Sequence, residues 1–280
     1  AYWLNQSEHI EAEKVAAIMT LVGGLWIWAW EHIMPYRKKW NQNDGDFKTD
    51  IVHLAITGLL TKLIKPLYLF LLLPIVVFLG GQFGADNMWP HHWHILAQLM
   101  FLLIICEFGR YWFHRWSHNV SWLWRIHAVH HSPNRLYWWN AARFHPLERF
   151  YLLIPELLPF IILQPSETIL MLYLVTNSIH GFFQHANIQT RIGFLNYIFS
   201  MTELHRWHHS KIINQSDKNF GNILSCWDLV FGTFFLPKEQ EVGPIGVLNP
   251  DYPKNYLGQL IAPFEHRRDK PIDYAERKDF

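Results

Sequence analysis

Residues 95–118 read ILAQLMFLLIICEFGRYWFHRWSH, and this stretch decides the fold. Ile95 to Cys106 is an uncharged apolar run that residues 107–112 continue, which is typical of a helix in a membrane. His114 and His118 follow at its end, and residues four apart lie on one face of a helix. The stretch therefore predicts a membrane helix whose end presents two imidazoles to one metal ion.

The composition agrees with a chain that lies largely in lipid. Apolar residues make up 50% of the 280 residues and charged residues 17%, below the share of about 25% in soluble proteins. The net charge of +1 gives no electrostatic case for nucleic acid as a partner. Cys106 and Cys226 lack the spacing of a disulfide framework or a thiolate metal site. The polar, mostly acidic stretch from Ala1 to Lys14 does not resemble a cleavable signal peptide.

Further uncharged runs predict the other membrane helices. They cover residues 15–30, 66–85, 150–164 and 168–183, and an interfacial helix over 51–65 is expected to lead into the second run. The basic residues 37–39 follow the first run and place that end in the cytoplasm. Counting spans from there puts both histidine-rich regions on the cytoplasmic side.

The predicted fold is thus all-α, a multi-pass transmembrane helical protein with a cytosolic helical cap that holds a histidine-rich dimetal site. We expect one integral membrane domain over residues 1–280. Within it, residues 1–113 form N-terminal transmembrane helices and 114–149 the first cytosolic histidine-box region. Residues 150–186 form a transmembrane hairpin, and 187–280 form a cytosolic cap with the third histidine box.

Two further histidine boxes have the spacing HxxHH, at residues 127–131 and 205–209. Within each, one helical turn can give two ligands to one metal and a third to another. The three boxes together supply His114, His118, His127, His130, His131, His205, His208 and His209. Eight imidazoles exceed the needs of one ion, so two metals are expected. Imidazole suits iron, zinc, copper and nickel, and the ligand type alone leaves the element open.

Other residues near the boxes are candidates for the same site. His185 and His180 end the last apolar run, and a bend at Gly181 would bring both towards the boxes; His185 is the better candidate. His145 precedes a proline and can be a ligand, a ring-orienting donor or a helix cap. Polar side chains that can orient ligand rings, or form ordinary caps and ion pairs, are Glu148, Glu203, Asp217, Asn219, Asn222 and Asp228.

Several of these stretches resemble the fatty acid hydroxylase superfamily, also called the sterol desaturase family. They are YWFHRWSH at 111–118, RIHAVHHS at 125–132, QHAN at 184–187, ELHRWHHS at 203–210, NFGN at 219–222, WD at 227–228 and FGT at 231–233. The resemblance runs from about Leu96 to Leu236 and implies a membrane-bound, histidine-ligated di-iron enzyme. It implies that the eight box histidines are ligands, joined by His185 and His180. His145 matches a His-Pro found in some branches of the family. The three residues between the histidines of the first box disfavour a close relation to the acyl 2-hydroxylases, some of which have four.

The resemblance also implies the chemistry. The expected function is an O2-dependent oxidoreductase that hydroxylates or desaturates a lipid-like substrate, such as a sterol or a fatty acyl chain, taken from the bilayer. An unactivated C–H bond requires an oxidant made from O2 and electrons at a metal centre. The expected cofactors are two iron ions, which zinc can replace in purified protein, with O2 as co-substrate. We predict no catalytic residue beyond the ligands, and electrons from a separate reductase or carrier because no flavin, haem or nicotinamide motif is visible.

A membrane zinc hydrolase, a metal-ion transporter and a non-catalytic metal-binding scaffold are the alternatives. Transport ligands should lie near the middle of the membrane, whereas these boxes lie on one predicted face. The sequence leaves open the substrate, hydroxylation against desaturation, and the oligomeric state. It also leaves open a bacterial inner membrane against the endoplasmic reticulum, with the metal site on the cytoplasmic face of either.

Overall fold

The computed structural model describes residues 11–83, 89–238 and 240–265. The regular secondary structure of these residues is helical. In those ranges there is no β-strand, only three isolated bridges, so the prediction of an all-α fold is confirmed. The long helices are α1 (Ala12–Ile33), α2 (Phe47–Phe83), α3 (Ile95–Asn119), α4 (Ser121–His131), α5 (Pro146–Leu163) and α6 (Glu167–His185). The short helices are α7 (Thr202–His208), α8 (Ile213–Ser216), α9 (Cys226–Val230) and α10 (Tyr256–Ile261). Four 3-10 helices cover Lys38–Asn41, Trp138–Ala142, Gly193–Tyr197 and Ala262–Phe264.

Three helices are long and apolar enough to cross a membrane: α1, α3 and the Phe47–Pro74 part of α2. Large apolar side chains point outward from them, among them Trp26, Leu63 and Phe70, which is 78% exposed. Helices satisfy their own backbone hydrogen bonds, so an apolar outer surface suits lipid. The predicted interfacial segment 51–65 belongs to the same continuous helix as the run that follows it. Residue 85, the predicted end of that run, lies outside the described residues.

The predicted hairpin over 150–186 corresponds to α5 and α6. Pro146 occupies the first turn of α5, where a missing backbone N–H costs least. The hydroxyl of Ser166 accepts a hydrogen bond from the backbone N–H of Ile169 and caps the start of α6. Whether this hairpin crosses a membrane stays a prediction.

Close helix packing brings the histidine boxes together. α1 packs on α6, and α5 packs on both α2 and α3. A Cβ atom at Gly109 of α3 would lie only 2.6 Å from Cβ of Pro155, so glycine allows α3 and α5 to approach closely here. Val120 is both the C-cap residue of α3 and the N-cap residue of α4. The first two boxes are therefore held on consecutive helices with no loop between them.

Buried acidic side chains fix the loops around this end of the bundle. Glu31, at the end of α1, accepts hydrogen bonds from the backbone N–H groups of Trp138 (2.8 Å) and Asn187 (2.9 Å). Asp50 of α2 forms a buried ion pair with Arg143. These contacts hold residues 138–143 and the start of the segment after α6 against the ends of the first two helices.

Candidate metal centre

Nine histidines meet in two groups whose ligand nitrogens lie within 4.8 Å of one another inside each group. The five-histidine group consists of His114, His118, His127, His131 and His208. The four-histidine group consists of His130, His185, His205 and His209. The groups touch, since the rings of His131 and His209 stack with their centroids 4.3 Å apart. This arrangement offers two neighbouring sites rather than one.

Each HxxHH box contributes to both groups. From α4, His127 and His131 enter the five-histidine group while His130 enters the other. In the third box the assignment is reversed: His205 and His209 enter the four-histidine group, and His208 enters the five-histidine group. Side chains four residues apart on a helix share a face, and a neighbour at the third position is rotated away from it. The box spacing therefore encodes two sites from one helical turn.

The ring nitrogens within each group face one another at short distance. Nε2 of His131 lies 3.1 Å from Nε2 of both His118 and His127. Nε2 of His205 lies 3.0 Å from Nε2 of both His185 and His209. A neutral imidazole has one donor and one acceptor nitrogen, so converging Nε2 atoms require a proton or a cation among them.

Oxygen atoms on the other side of the rings select which nitrogen faces inward. Six of the nine rings place Nδ1 next to an oxygen acceptor. The pairs are His114 with the Phe220 carbonyl (2.8 Å), His118 with Asp217 (3.0 Å), His127 with Glu148, His130 with the Arg143 carbonyl (3.3 Å), His185 with the Asn140 side chain (2.8 Å) and His208 with the Lys218 carbonyl (2.8 Å). A proton held at Nδ1 by such an acceptor leaves a lone pair on Nε2, which is the form that binds a metal.

Burial keeps the imidazoles neutral. It lowers the pKa of His127 from 6.5 to about 3. Burial, reinforced by the neighbouring imidazoles, lowers the pKa of His130, His131, His205, His208 and His209 well below 6.5. Metal ligands must be deprotonated, so these rings are in the state that coordination needs.

Unpartnered ring nitrogens test whether metal ions fit here. Nε2 of His114 and of His208 in one group, and Nδ1 of His205 and of His209 in the other, are buried with no hydrogen-bond partner among the described residues. A buried polar atom without a partner costs about 1–3 kcal/mol. A cation in the five-histidine group would supply the missing partner for Nε2 of His114 and of His208, and a cation in the four-histidine group would lie among the Nε2 atoms that converge there. Imidazole donors suit iron and zinc among other metals. The residues therefore fit a pair of metal ions.

Two of the histidines singled out from the sequence lie outside both groups. Nε2 of His180 lies 2.8 Å from the carbonyl oxygen of Ser200. His145 caps α5, because its Nδ1 accepts a hydrogen bond from the backbone N–H of Leu147, and its Nε2 lies 3.2 Å from the carbonyl oxygen of Leu260.

The polar candidates divide by what they contact. Asp217 contacts His118 directly. Asp228 contacts the site indirectly. It accepts hydrogen bonds from the backbone N–H groups of Phe220 and Gly221, and the carbonyl of Phe220 in turn faces His114. Glu203 instead accepts from the backbone N–H of Ile192 and from Asn196.

The two asparagines hold the loop that follows the third box. Asn219 donates to the backbone carbonyls of Leu204 and Phe235. Asn222 bonds to Glu107, Arg110 and Asn177. Neither contacts a ring of the two groups through the hydrogen bonds that the structure shows.

Sequence reasoning missed most of the ring-orienting partners. Asn140 lies in a 3-10 turn whose sequence WWNAA carries no metal-site signal. The carbonyls of Phe220, Arg143 and Lys218 are backbone atoms that every residue possesses, so no sequence pattern could mark them. Glu148 was among the polar candidates because it closely follows His145 in the sequence, and the structure places it in the first turn of α5.

A cavity of about 340 Å³ opens onto both groups. Five of the nine histidines line it: His114, His127, His130, His185 and His205. Its wall includes Phe144, whose ring stacks on His130 with centroids 4.8 Å apart and planes within 3°. The cavity extends between α1, α2, α3, α5 and α6, where Arg110, Arg149 and Asn177 line it. A molecule entering between the helices can therefore reach both groups.

The family model for fatty acid hydroxylase matches residues 99–233. Ornithine lipid hydroxylase OlsE from Rhizobium tropici is 35% identical over 246 residues, which cover 86% of this chain and 73% of that protein. Alkylglycerol monooxygenase from Homo sapiens is 27% identical over 69% of this chain and 43% of its own length. Delta(7)-sterol 5(6)-desaturase ERG3A from Gibberella zeae is 24% identical over 57% of this chain and 44% of its own length. This chain thus spans less than half of the length of the last two relatives. No solved structure matches it.

Proposed function

The chain belongs to the fatty acid hydroxylase family and is a membrane oxidoreductase that acts on lipids, and from that premise we propose that it is a di-iron enzyme that uses O2. The observation that carries the proposal is the pair of converging histidine groups. We assign His114, His118, His127, His131 and His208 to one iron and His130, His185, His205 and His209 to the other. His180, outside both groups, is left out of the ligand set.

When bound, two irons supply the reduction of O2 that oxidation of an unactivated C–H bond requires. The protein supplies the setting. Acceptors such as Asp217, Glu148 and Asn140 hold the rings so that Nε2 faces inward. Phe144, stacked on His130, keeps that ring in place and gives the cavity an apolar wall. The buried, largely apolar surroundings exclude water from the reacting carbon.

The substrate reaches this site from the bilayer, through the cavity between α1, α2, α3, α5 and α6. An ornithine lipid is the first substrate to test, because the relative OlsE, of which this chain covers 73%, is named an ornithine lipid hydroxylase. Electrons come from a separate reductase or carrier at the cytoplasmic face, and the basic residues 37–39 after the first apolar run support this orientation of the histidine groups.

The test is the metal content of the full-length protein, purified in mild detergent from iron-supplied cells and measured by elemental mass spectrometry. We expect about two irons per chain, with four to five ligands each. His208→Ala in one group and His130→Ala in the other should each lower the iron content. The iron-loaded protein should then consume O2 when given an ornithine lipid and a chemical reductant.

One metal or none per chain would overturn the dimetal site. Iron that neither variant removes would place the metal elsewhere. Two zinc ions that iron cannot replace, with no O2 uptake, would leave the geometry intact and favour a hydrolase instead.

A further inference from the structure

A second cavity lies in the same helical bundle, farther along α6 from the histidines. Its volume is about 530 Å³, and α1, α2, α5 and α6 line it, as they line the cavity at the histidines. Its wall is mostly apolar, with Leu69, Leu157, Phe160 and Leu170 among the lining residues, and the charged side chains Glu13, Lys65 and Glu167 also line it. Leu170 precedes Asn177 of the histidine cavity by about two helical turns, so the cavities follow one another by about 10 Å along α6. The two cavities thus follow one another along the same four helices, one beside the histidines and one lined mostly by apolar side chains.

Charged side chains lie between the two ends, and we call Arg110, Arg149, Glu156 and Asn177 the polar layer. The side chains of both arginines are 12% exposed and that of Glu156 is 6% exposed. Arg110 contacts Glu156 and donates to Asn177 (3.3 Å) and Asn222 (3.0 Å). Ionisable side chains inside membrane helices are costly and are candidates for functional sites, of which substrate paths are one kind.

Arg149 donates fewer hydrogen bonds than Arg110 does. Among the described residues, its guanidinium donates one hydrogen bond, from Nε to the hydroxyl of Thr61 (2.9 Å). Its NH2 lies 3.6 Å from Glu156, beyond hydrogen-bond distance, and Glu156 is already the partner of Arg110. A guanidinium has five N–H donors. Arg149 therefore faces the histidine cavity with donors to spare.

The nearby carboxylates do not supply acceptors for all the N–H donors of Arg149. One carboxylate oxygen of Glu107 accepts the backbone N–H groups of Asn222, Ile223 and Leu224, so this carboxylate is already engaged by the chain itself. Two guanidiniums then share Glu156, and the polar layer has an excess of donors over acceptors. A bound molecule that brings an oxygen acceptor to this depth would fit it.

Resting on the proposed function, we propose that Arg149 binds the ester or amide carbonyl that joins an acyl chain to the head group of a lipid. The acyl chain lies in the apolar cavity, and the carbons on the head-group side of the carbonyl face the histidine groups. Arg149 is thus a specificity-determining residue: it sets which carbon reaches the metals, and it favours acylated lipids over hydrocarbons or ethers of equal length.

Binding of two probes that differ only in the carbonyl tests this proposal. They are 1-palmitoylglycerol, an ester, and 1-O-hexadecylglycerol, an ether, titrated into the purified full chain with binding followed by thermal stabilisation. Wild type should bind the ester more tightly. Arg149→Met should weaken ester binding about 10- to 100-fold, the value of a hydrogen bond to a charged group, and ether binding by less than about threefold. Lys62→Met, which removes an exposed cation from α2, is the matched control and should change neither.

Metal content separates this proposal from the proposed function. Arg149→Met should keep the metal content of wild type; if it does not, Arg149→Gln takes its place in the same comparison. Equal binding of both probes by wild type, or an equal loss of both in the variant, would overturn the role of Arg149 and leave the di-iron proposal standing. Ester selectivity that depends on Arg149 in a chain without two metals would support the carbonyl site and overturn the di-iron proposal.

Discussion

Oδ1 of Asp217 lies 3.0 Å from Nδ1 of His118, across 99 residues of sequence. The contact joins the residue that ends α8 to the last turn of α3. A carboxylate that accepts the Nδ1 proton fixes the tautomer of the ring and makes its Nε2 a stronger ligand. The cap after the third box therefore completes the ligand geometry of the first box.

Asp217→Asn should weaken metal binding while preserving the size of the side chain. An amide is a weaker acceptor than a carboxylate, and loss of such partners typically costs 10- to 100-fold in metal affinity, so we expect a loss of about that size. Competition with a graded series of chelators measures it. Glu203→Gln is the control, since the carboxylate of Glu203 accepts hydrogen bonds from Ile192 and Asn196 in a neighbouring loop and not from a ligand ring. Equal metal affinity in the two variants would show that the Asp217 contact does not matter.

His180 and His185 provide a matched pair on the last turns of α6. His185 belongs to the four-histidine group, whereas His180 contacts the Ser200 carbonyl. We expect His185→Ala to lower the metal content from about two ions per chain to about one. His180→Ala should keep both ions. Elemental analysis of the two purified variants decides the point, and metal loss from His180→Ala alone would return that residue to the ligand set.

The helical class and the grouping of the boxes could be predicted because both follow from periodicity. Apolar runs specify helices in lipid, and the spacing HxxHH rotates His130 away from the face that His127 and His131 share, so that it enters the other group. His185, the better candidate of its pair, lies in the four-histidine group, whereas His180 lies outside both groups.

The rest depends on tertiary contacts that leave no local pattern. Asn140 meets His185 only because Glu31 binds the backbone at Trp138 and holds the turn that follows. The Phe220 carbonyl reaches His114 across 106 residues. Such partners are set by packing, and a single sequence does not reveal which carbonyl will face which ring.

Gly221→Ala should damage the five-histidine group without touching a ligand. A Cβ at this position would lie 2.4 Å from the Leu224 carbonyl oxygen and 2.8 Å from a carboxylate oxygen of Asp228. The backbone must shift to relieve this, and it carries the Phe220 carbonyl that faces His114. We expect a loss of about 1–3 kcal/mol of stability, as for other overpacked sites, together with weaker metal binding. Thermal unfolding and metal content measure the two effects.

Gly243→Ala is the control for that substitution, because a Cβ there would meet no atom within 4 Å among the described residues. If Gly221→Ala unfolds and binds metal as Gly243→Ala does, the loop is more compliant than its contacts indicate. If it loses stability but keeps full metal affinity, the Phe220 carbonyl does not position His114.

The metal-free protein should lose stability as the pH falls through the ordinary histidine range. Burial lowers the pKa of His127 from 6.5 to about 3, so below pH 6.5 the unfolded chain binds a proton that the folded chain does not. The difference favours unfolding by up to about 1.4 kcal/mol for each pH unit below 6.5, and it saturates near pH 3. Other buried box histidines, whose pKa burial also lowers, act in the same direction.

Chemical unfolding of chelator-treated protein between pH 7.5 and 5.5 measures this slope. His127→Gln should make the slope shallower, because it removes one group that the unfolded chain protonates and the folded chain excludes. His92→Gln, at an exposed position before α3, is the matched control. A stability that does not change over this range would mean that the folded metal-free protein takes up protons freely. The two groups would then open to water when the metal leaves, and the metal itself, rather than the packing around the rings, would hold the site together.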